Sequence, residues 1–320
     1  MMTYKEQYRE LCKLETSIPI FMQDWWMDAV CAGKYWDVLL SIDSNGQICA
    51  ALPYLLRKRL HQSYIVMPQM TQIGGLWLRA DIQHDPTLLQ TACQDIAQQL
   101  QSLDLAYYYQ HFPLHSPAVE AFGKLGFNIQ KRITYRIEEI NDLDTLIASF
   151  SKNKRRQLQK AQTLHADLSL GVEDFYRFHT QCMLEQGKQI SYVREFLLVL
   201  ERKTSRIQRS QIIAVRNAEN ELLAAAFLVW DQYSMYYLIP CYSEQYKDSG
   251  AGALLVLEAI KLAHEKGVAF DFEGSMITGV ANHYKQFGST PTTYYSVEKY
   301  YKWWFRLATL YNRIRECKMH

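Results

Sequence analysis

Apolar runs broken by turn-forming residues follow one another along this chain in an order that repeats. In the first half, VLLSI (38–42) is followed by the polar turn DSNGQ (43–47) and then by ICAALPYLL (48–56). Two apolar runs around Asn45-Gly46 read as a hairpin, because Asn-Gly accepts the positive φ that a tight turn demands. In the second half, QIIAV (211–215), the turn RNAENE (216–221) and LLAAAFLVW (222–230) predict the same hairpin. Both second strands carry a small-residue pair, Ala50-Ala51 and Ala224-Ala225. Further on, TACQDIAQQLQSL (91–103) has helical spacing and precedes the strand-like LAYYYQHF (105–112). Its counterpart GALLVLEAIKLAHEKG (252–267) precedes VAFDFEGS (268–275). Residues 119–138 and 282–299 then each read as a short helix, a glycine turn and a closing strand. Three matches in order predict an α/β protein with mixed sheets, made by tandem duplication of one lobe. The expected division is 1–140 and 141–320.

Between the lobes, 143–165 is predicted as one helix carrying the basic run SKNKRRQLQK (151–160). At the end of the chain, Tyr300, Trp304, Leu307, Tyr311 and Ile314 recur every three to four residues. They form an apolar stripe, with Lys302, Arg306, Arg313 and Arg315 elsewhere on that helix. Its expected place is against the protein's own core, the alternative a membrane surface.

Composition narrows the class. The chain has 320 residues, 48% hydrophobic, 13% aromatic and 21% charged, enough apolar material for a sizeable core and too much for a disordered chain. A net charge of +2 argues against a general DNA coater, though not against a local basic patch. The longest strongly apolar stretch, 222–230, is far short of the roughly 18–20 residues of a spanning helix. The start, MMTYKEQYREL, lacks the apolar region of a secretory signal, so a cytoplasmic protein is expected. Seven cysteines are scattered singly with no CxxC, which fits buried thiols in a reducing compartment. No metal site is expected: Pro113 interrupts the His111/His115 pair, and His264-Glu265 lacks the second histidine of HExxH.

The most informative stretch is strand, glycine loop, helix: SMYYLIPCYSEQYKDSGAGALLVLEAIKLAHEKG (234–267). Glycines at a helix N-terminus let backbone N–H groups approach a phosphate, and the helix dipole favours an anion there. The other reading is a connection in which glycine merely permits the turn. The spacing of Lys247, Gly250, Ala251 and Gly252 resembles the (Q/R)xxGx(G/A) pyrophosphate loop of the GNAT acyltransferase superfamily. Taken with IFMQDWWMDAV (20–30), SKNKRRQLQKA (151–161), AFDFEGSM (269–276) and HYKQFGSTPTTYY (283–295), the chain is similar to the FemAB-like branch, which has two GNAT lobes. The first lobe has no GxG before its helix, only RADIQHDPTLLQ (79–90), so the donor is expected in the second lobe.

The resemblance implies an N-acyltransferase that moves an acyl group from acyl-CoA to an amine by direct attack in a ternary complex. The alternative it implies is a FemX-like aminoacyl-tRNA-dependent transferase acting on a cell-wall precursor. Against that subgroup, this chain keeps the GxG and has no long insertion after the basic helix. A third reading is a catalytically silent binding protein of the same fold. Amide formation needs a proton acceptor and donors for the oxyanion. Asp271 and Glu273 lie two apart on a predicted strand, hence on one face, as proton acceptors or as partners of a nearby Lys or Arg in a structural ion pair. Lys285 aligns with a lysine that FemX-like enzymes direct at the oxyanion; as a lone lysine on a short helix it would instead face solvent. Lys152, Arg155 and Arg156, with Tyr284, are the expected acceptor contacts, in a pattern similar to KNxRRxxxKA. A solvated charged face is the alternative for the basic run.

Overall fold

Strands that are apolar at nearly every position are buried on both faces. The computed structural model describes residues 2–31, 35–59, 61–274 and 278–307. They form two compact units, 1–132 with 293–320, and 133–292. The first unit begins with α1 (Tyr4–Leu14) and α2 (Asp24–Val30). The strands β1 (Trp36–Ile42), β2 (Ile48–Arg59), β3 (Gln62–Val66) and the short β4 (Trp77–Leu78) follow. Then come α3 (Ala80–His84), α4 (Pro86–Ser102), β5 (Leu105–Phe112), α5 (Ala118–Lys124) and β6 (Asn128–Ile137). The Asn45-Gly46 hairpin forms as expected, with Gly46 at φ +78°. Along β1, Trp36, Val38 and Leu40 pack with Tyr8 of α1, whereas Leu39 faces the opposite side with Cys93, Ile96 and Leu100 of α4. A helix on each face accounts for an apolar run without polar alternation.

The second unit repeats that logic. It contains α6 (Leu143–Ser149), α7 (Lys152–Lys160), β7 (His165–Asp167), α8 (Val172–Glu185), α9 (Arg194–Arg206) and β8 (Ser210–Arg216). Then come β9 (Leu222–Trp230), β10 (Ser234–Tyr242), α10 (Ala251–Lys266), β11 (Ala269–Asp271) and α11 (Thr278–Lys285). The chain continues into β12 (Thr290–Tyr300). Ala224, Ala226, Leu228 and Trp230 of β9 face α10, and Phe227 turns the other way toward Phe175 of α8. The small alanines let α10 lie close to the sheet.

In the first unit the strand order is β1-β2-β3-β5-β12, and in the second β8-β9-β10-β11-β6, with β7 extending the β8 edge. In both, successive pairings are antiparallel, antiparallel, parallel and antiparallel. The two hairpins recognised in the sequence therefore hold equivalent positions. The units differ from the expected 1–140 and 141–320 division in their closing strands. Tyr295–Tyr300 of β12 pair with β5, while Arg136 and Ile137 of β6 pair with β11. Each unit is closed by a strand from the other half of the sequence, an exchange that sequence order cannot reveal.

Two further expectations change. The single helix expected over 143–165 is broken: Phe150 turns inward, Ser151 caps α7, a 3-10 turn spans Ala161–Thr163, and His165 starts β7. The strand expected over 268–275 ends at Asp271; Ser275 lies outside the described residues. Among the described residues no helix is long and apolar enough to cross a membrane, and no cluster of metal-ligating side chains occurs.

Candidate active site

The second unit opens where its two parallel strands part. β10 and β11 pair from Ser234–Ala269 to Tyr236–Asp271 and no further, while β10 runs on to Tyr242. A bulge after Tyr236 inserts one extra residue into β10 relative to β9. This shifts the side-chain alternation, so Tyr237 and Tyr242, five apart, share a face and their hydroxyls hydrogen-bond at 2.9 Å. Tyr242 also lies against the first turn of α10, where a Cβ at Gly252 would stand 3.2 Å from its ring.

Asp271 is fully buried, at the end of β11. Its cross-strand neighbour is Arg136, whose Nη1 donates to Oδ2 at 3.0 Å. Thr134 Oγ1 and the Glu273 backbone N–H donate to Oδ1. Burial raises the Asp271 pKa, and Arg136 with Thr134 acts against the rise. Arg136 is held in turn by Glu138 at 2.8 Å. The carboxylate of Asp271 is thus engaged on both oxygens inside an ion-pair network.

Glu273 is placed differently from the expectation that it shares a strand face with Asp271. The chain leaves the strand after Asp271, and Glu273 takes a left-handed φ of +61°, followed by Gly274 at +69°. Gly274 is needed there, because a Cβ would meet the Ile133 carbonyl oxygen at 2.5 Å. A non-glycine residue in the left-handed region costs about 1 kcal/mol or more, a strain concentrated at functional sites. Glu273 Oε1 is buried and has no hydrogen-bond partner among the described residues. Burial, reinforced by the Asp271 charge, pushes its carboxyl well above the usual range.

Tyr284 of α11 stacks on Phe272 with ring centroids 4.5 Å apart. Burial first, then the charges of Glu273 and Asp271, push its hydroxyl up to about 12. Lys285, the next residue, is solvent-exposed, with Nζ 5.8 Å from the Tyr135 ring centroid. Phe272, Glu273, Tyr284 and the Tyr237–Tyr242 pair form one aromatic and acidic cluster, which Lys285 borders from the solvent side.

The basic helix has two different faces. Lys152, Arg155, Arg156 and Lys160 lie on one face at i, i+3, i+4 and i+8, are exposed, and have no ion-pair partner among the described residues. Lys152, Arg155 and Arg156 line a shallow groove of about 660 Å³ with Asn153 and Gln159. Lys154 points the opposite way and is only 4% exposed. Its Nζ donates to Gln157 Oε1 at 3.0 Å, meets His283 Nδ1 at 3.3 Å and lies 4.8 Å from the Phe287 ring centroid. Burial pulls the Lys154 pKa to about 8. Burial, and then the Lys154 charge, pull His283 to about 4. A backbone bond from Ser151 N–H to the Gln286 carbonyl, 2.9 Å, fastens the start of α7 to the end of α11.

The glycine loop has a partner that the sequence does not show. Gly250 caps α10 at φ +88°, and a Cβ there would stand 2.2 Å from the Gln157 carbonyl oxygen of α7 and 3.2 Å from Ala161 Cβ. The close approach this glycine permits is therefore occupied by the chain's own backbone. Ala251 N–H donates to Ser249 Oγ at 3.2 Å. Lys247 is exposed and paired with Glu244 at 2.7 Å, on a 3-10 turn before the helix.

Residues 148–286 match the family model described as acetyltransferase (GNAT) domain. That span runs from the end of α6 through the loop, α10 and both acidic residues to Lys285. The crystal structure of FemX is similar over 92% of this chain and 96% of its own, with a TM-score of 0.70 at 12% identity. The fold is that of the FemAB-like GNAT proteins. L-PGS from Bacillus licheniformis shares it (TM-score 0.59, 12% identity, 98% and 97% of the two chains). So does a tandem GNAT protein from the clavulanic acid biosynthesis pathway (TM-score 0.51, 11% identity, 92% and 94%). No curated protein matches the chain in sequence. Within the matched span the sequence singled out Asp271, Glu273, Lys285 and the basic run, and missed Tyr237, Tyr242, the inward Lys154 and His283. The one signal for Lys154 was its helical position, opposite Lys152, Arg155 and Arg156.

Proposed function

We propose that this chain is a FemX-like transferase that moves an aminoacyl group from aminoacyl-tRNA to an amine of a cell-envelope precursor. The observation that carries the choice of donor is the Gln157 carbonyl seated on Gly250. A pyrophosphate cradle needs open backbone at that glycine, and the residues present do not fit one. Meanwhile α7 carries cations in its first turn, where the helix dipole disfavours them, and no acid compensates. Such a face suits a phosphate-rich ligand. In the reaction, the acceptor amine nitrogen forms a bond to the ester carbonyl carbon and the carbon–oxygen bond to the tRNA ribose breaks. Glu273 acts in its ionised form: burial makes that carboxylate a stronger base, it takes the proton that the nitrogen loses, and it passes the same proton to the departing ribose oxygen. Lys285 is assigned to the oxyanion and Tyr284 to the acceptor.

The match to an acetyltransferase model favours a second reading, acyl-CoA as donor through Lys247, Gly250, Ala251 and Gly252. One titration separates the two. Calorimetry with acetyl-CoA and CoA is set beside gel shifts with tRNA across salt concentrations. The proposal expects no CoA binding, and tRNA binding whose salt dependence flattens when Lys152, Arg155 and Arg156 become glutamine. Micromolar CoA binding with salt-insensitive or absent tRNA binding would establish the second reading instead.

A further inference from the structure

The first unit presents a surface that the transfer chemistry does not use. After β12 the chain makes a helical turn at 303–307, and one side chain fixes it: the Phe305 ring packs on Tyr64 of β3 and Tyr107 of β5, with centroids 5.7 and 5.8 Å away. Lys302 ties the start of the turn to Gln62 Oε1 at 2.7 Å and to Asp104 at 3.1 Å. With Phe305 turned inward, its neighbours turn outward. Trp303 is 75% exposed, Trp304 39% and Leu307 58%. The expectation that this stripe docks on the core therefore fails for Trp304 and Leu307; Tyr311 and Ile314 lie outside the described residues.

The rim of this apolar patch is cationic. In the β2–β3 ladder Arg57 stands opposite Tyr64 and Arg59 opposite Gln62. Directly opposed residues project to the same face of a sheet, so both arginines share the face on which Phe305 and Lys302 sit. Arg57 and Arg59 are exposed and have no ion pair among the described residues. Two indoles and a leucine on the sheet face that carries Arg57 and Arg59 fit one environment. Trp prefers the boundary between headgroups and acyl chains, Leu enters the acyl region, and arginine reaches back to phosphate.

We infer that the surface formed by Trp303, Trp304 and Leu307 with Arg57 and Arg59 docks the protein on an anionic lipid bilayer. Charge complementarity selects that partner over a neutral membrane. Leu307, which has no face for a base to stack on, favours lipid over a nucleic acid. This inference stands independently of the proposed donor and acceptor.

The test is sedimentation of the full chain with vesicles of phosphatidylcholine alone and of phosphatidylcholine mixed with phosphatidylglycerol. Binding to the mixed vesicles and not to the neutral ones is expected, with a blue shift in tryptophan emission. Trp303→Ser with Trp304→Ser should abolish it. Arg57→Gln with Arg59→Gln should weaken it about 25-fold, roughly fivefold for each charge removed near an anionic surface. All four side chains are exposed, and circular dichroism confirms that the variants fold. Glutamine at Lys152, Arg155 and Arg156 should leave vesicle binding intact, which keeps this test separate from that of the tRNA proposal. Equal binding to neutral vesicles, no binding, or loss of binding on changing α7 alone would each overturn the inference. So would tRNA binding that depends on Trp303 and Trp304 without vesicle binding, since the patch would then be a nucleic-acid surface.

Discussion

Gly250→Ala tests the packing on which the choice of donor rests. Its φ of +88° places the residue in the left-handed region, where a side chain costs about 1–2 kcal/mol. The added Cβ would also lie 2.2 Å from the Gln157 carbonyl oxygen. That oxygen accepts the backbone N–H of Ala161 at the end of α7, so it cannot retreat without loosening the last helical turn. Overpacking of this kind costs about 1–3 kcal/mol. The two contributions add to about 2–5 kcal/mol, and at about 2–4 °C per kcal/mol for a unit of this size they lower Tm by about 4–20 °C. Gly252→Ala is the control. Its φ is ordinary, its Cβ would meet only the Tyr242 ring at 3.2 Å, and alanine is the better helix former by about 1 kcal/mol, so its Tm should move little. Calorimetric melts of both variants, read on the same transition, provide the comparison. An unchanged Tm for Gly250→Ala together with lost CoA binding would refute the packing and return the loop to the role of a phosphate cradle.

Glu273→Gln should abolish transfer and yet stabilise the fold at high pH. The native carboxyl holds its proton above the ordinary value of 4.5, so stability of the natural protein falls as pH rises above that value. In urea melts the advantage of the variant should vanish below about pH 4.5 and grow above it; a constant offset would contradict the burial argument. Asp271→Asn leaves the buried Arg136 with Glu138, half exposed, as its remaining counter-charge, and should cost about 3–5 kcal/mol in the same melts. A smaller loss with transfer abolished would instead place Asp271 in the chemistry. Lys154→Met should remove a slope in the opposite sense. Burial holds the amine at about 8 against an ordinary 10.5, so Lys154 contributes a stability that rises with pH between those values, and the variant should lack that contribution relative to the natural protein.

Local pattern alone determined much of this protein. Strands β5 and β9 were legible to the residue, since Leu105–Phe112 and Leu222–Trp230 are apolar runs bounded by turns. The Asn45-Gly46 hairpin, α10 and the repeated order of elements were legible for the same reason: periodicity and turn chemistry act over a few residues. What only the tertiary structure decided depends on partners far apart in sequence. The closing strands exchange units because the sheet edge a strand completes is set by chain path and packing, which its own residues do not encode. That exchange places Arg136 opposite Asp271 and makes the carboxylate half of a buried ion pair, the alternative that the sequence left open without naming the partner. Glu273, two residues further, escapes that fate because the strand ends before it and its backbone turns left-handed. The glycine loop looks open in sequence, but the Gln157 carbonyl lies against Gly250 in the fold. Lys154 belongs to the same basic run as Lys152, Arg155 and Arg156, and a rotation of about 100° per residue sends it alone into the core beside His283.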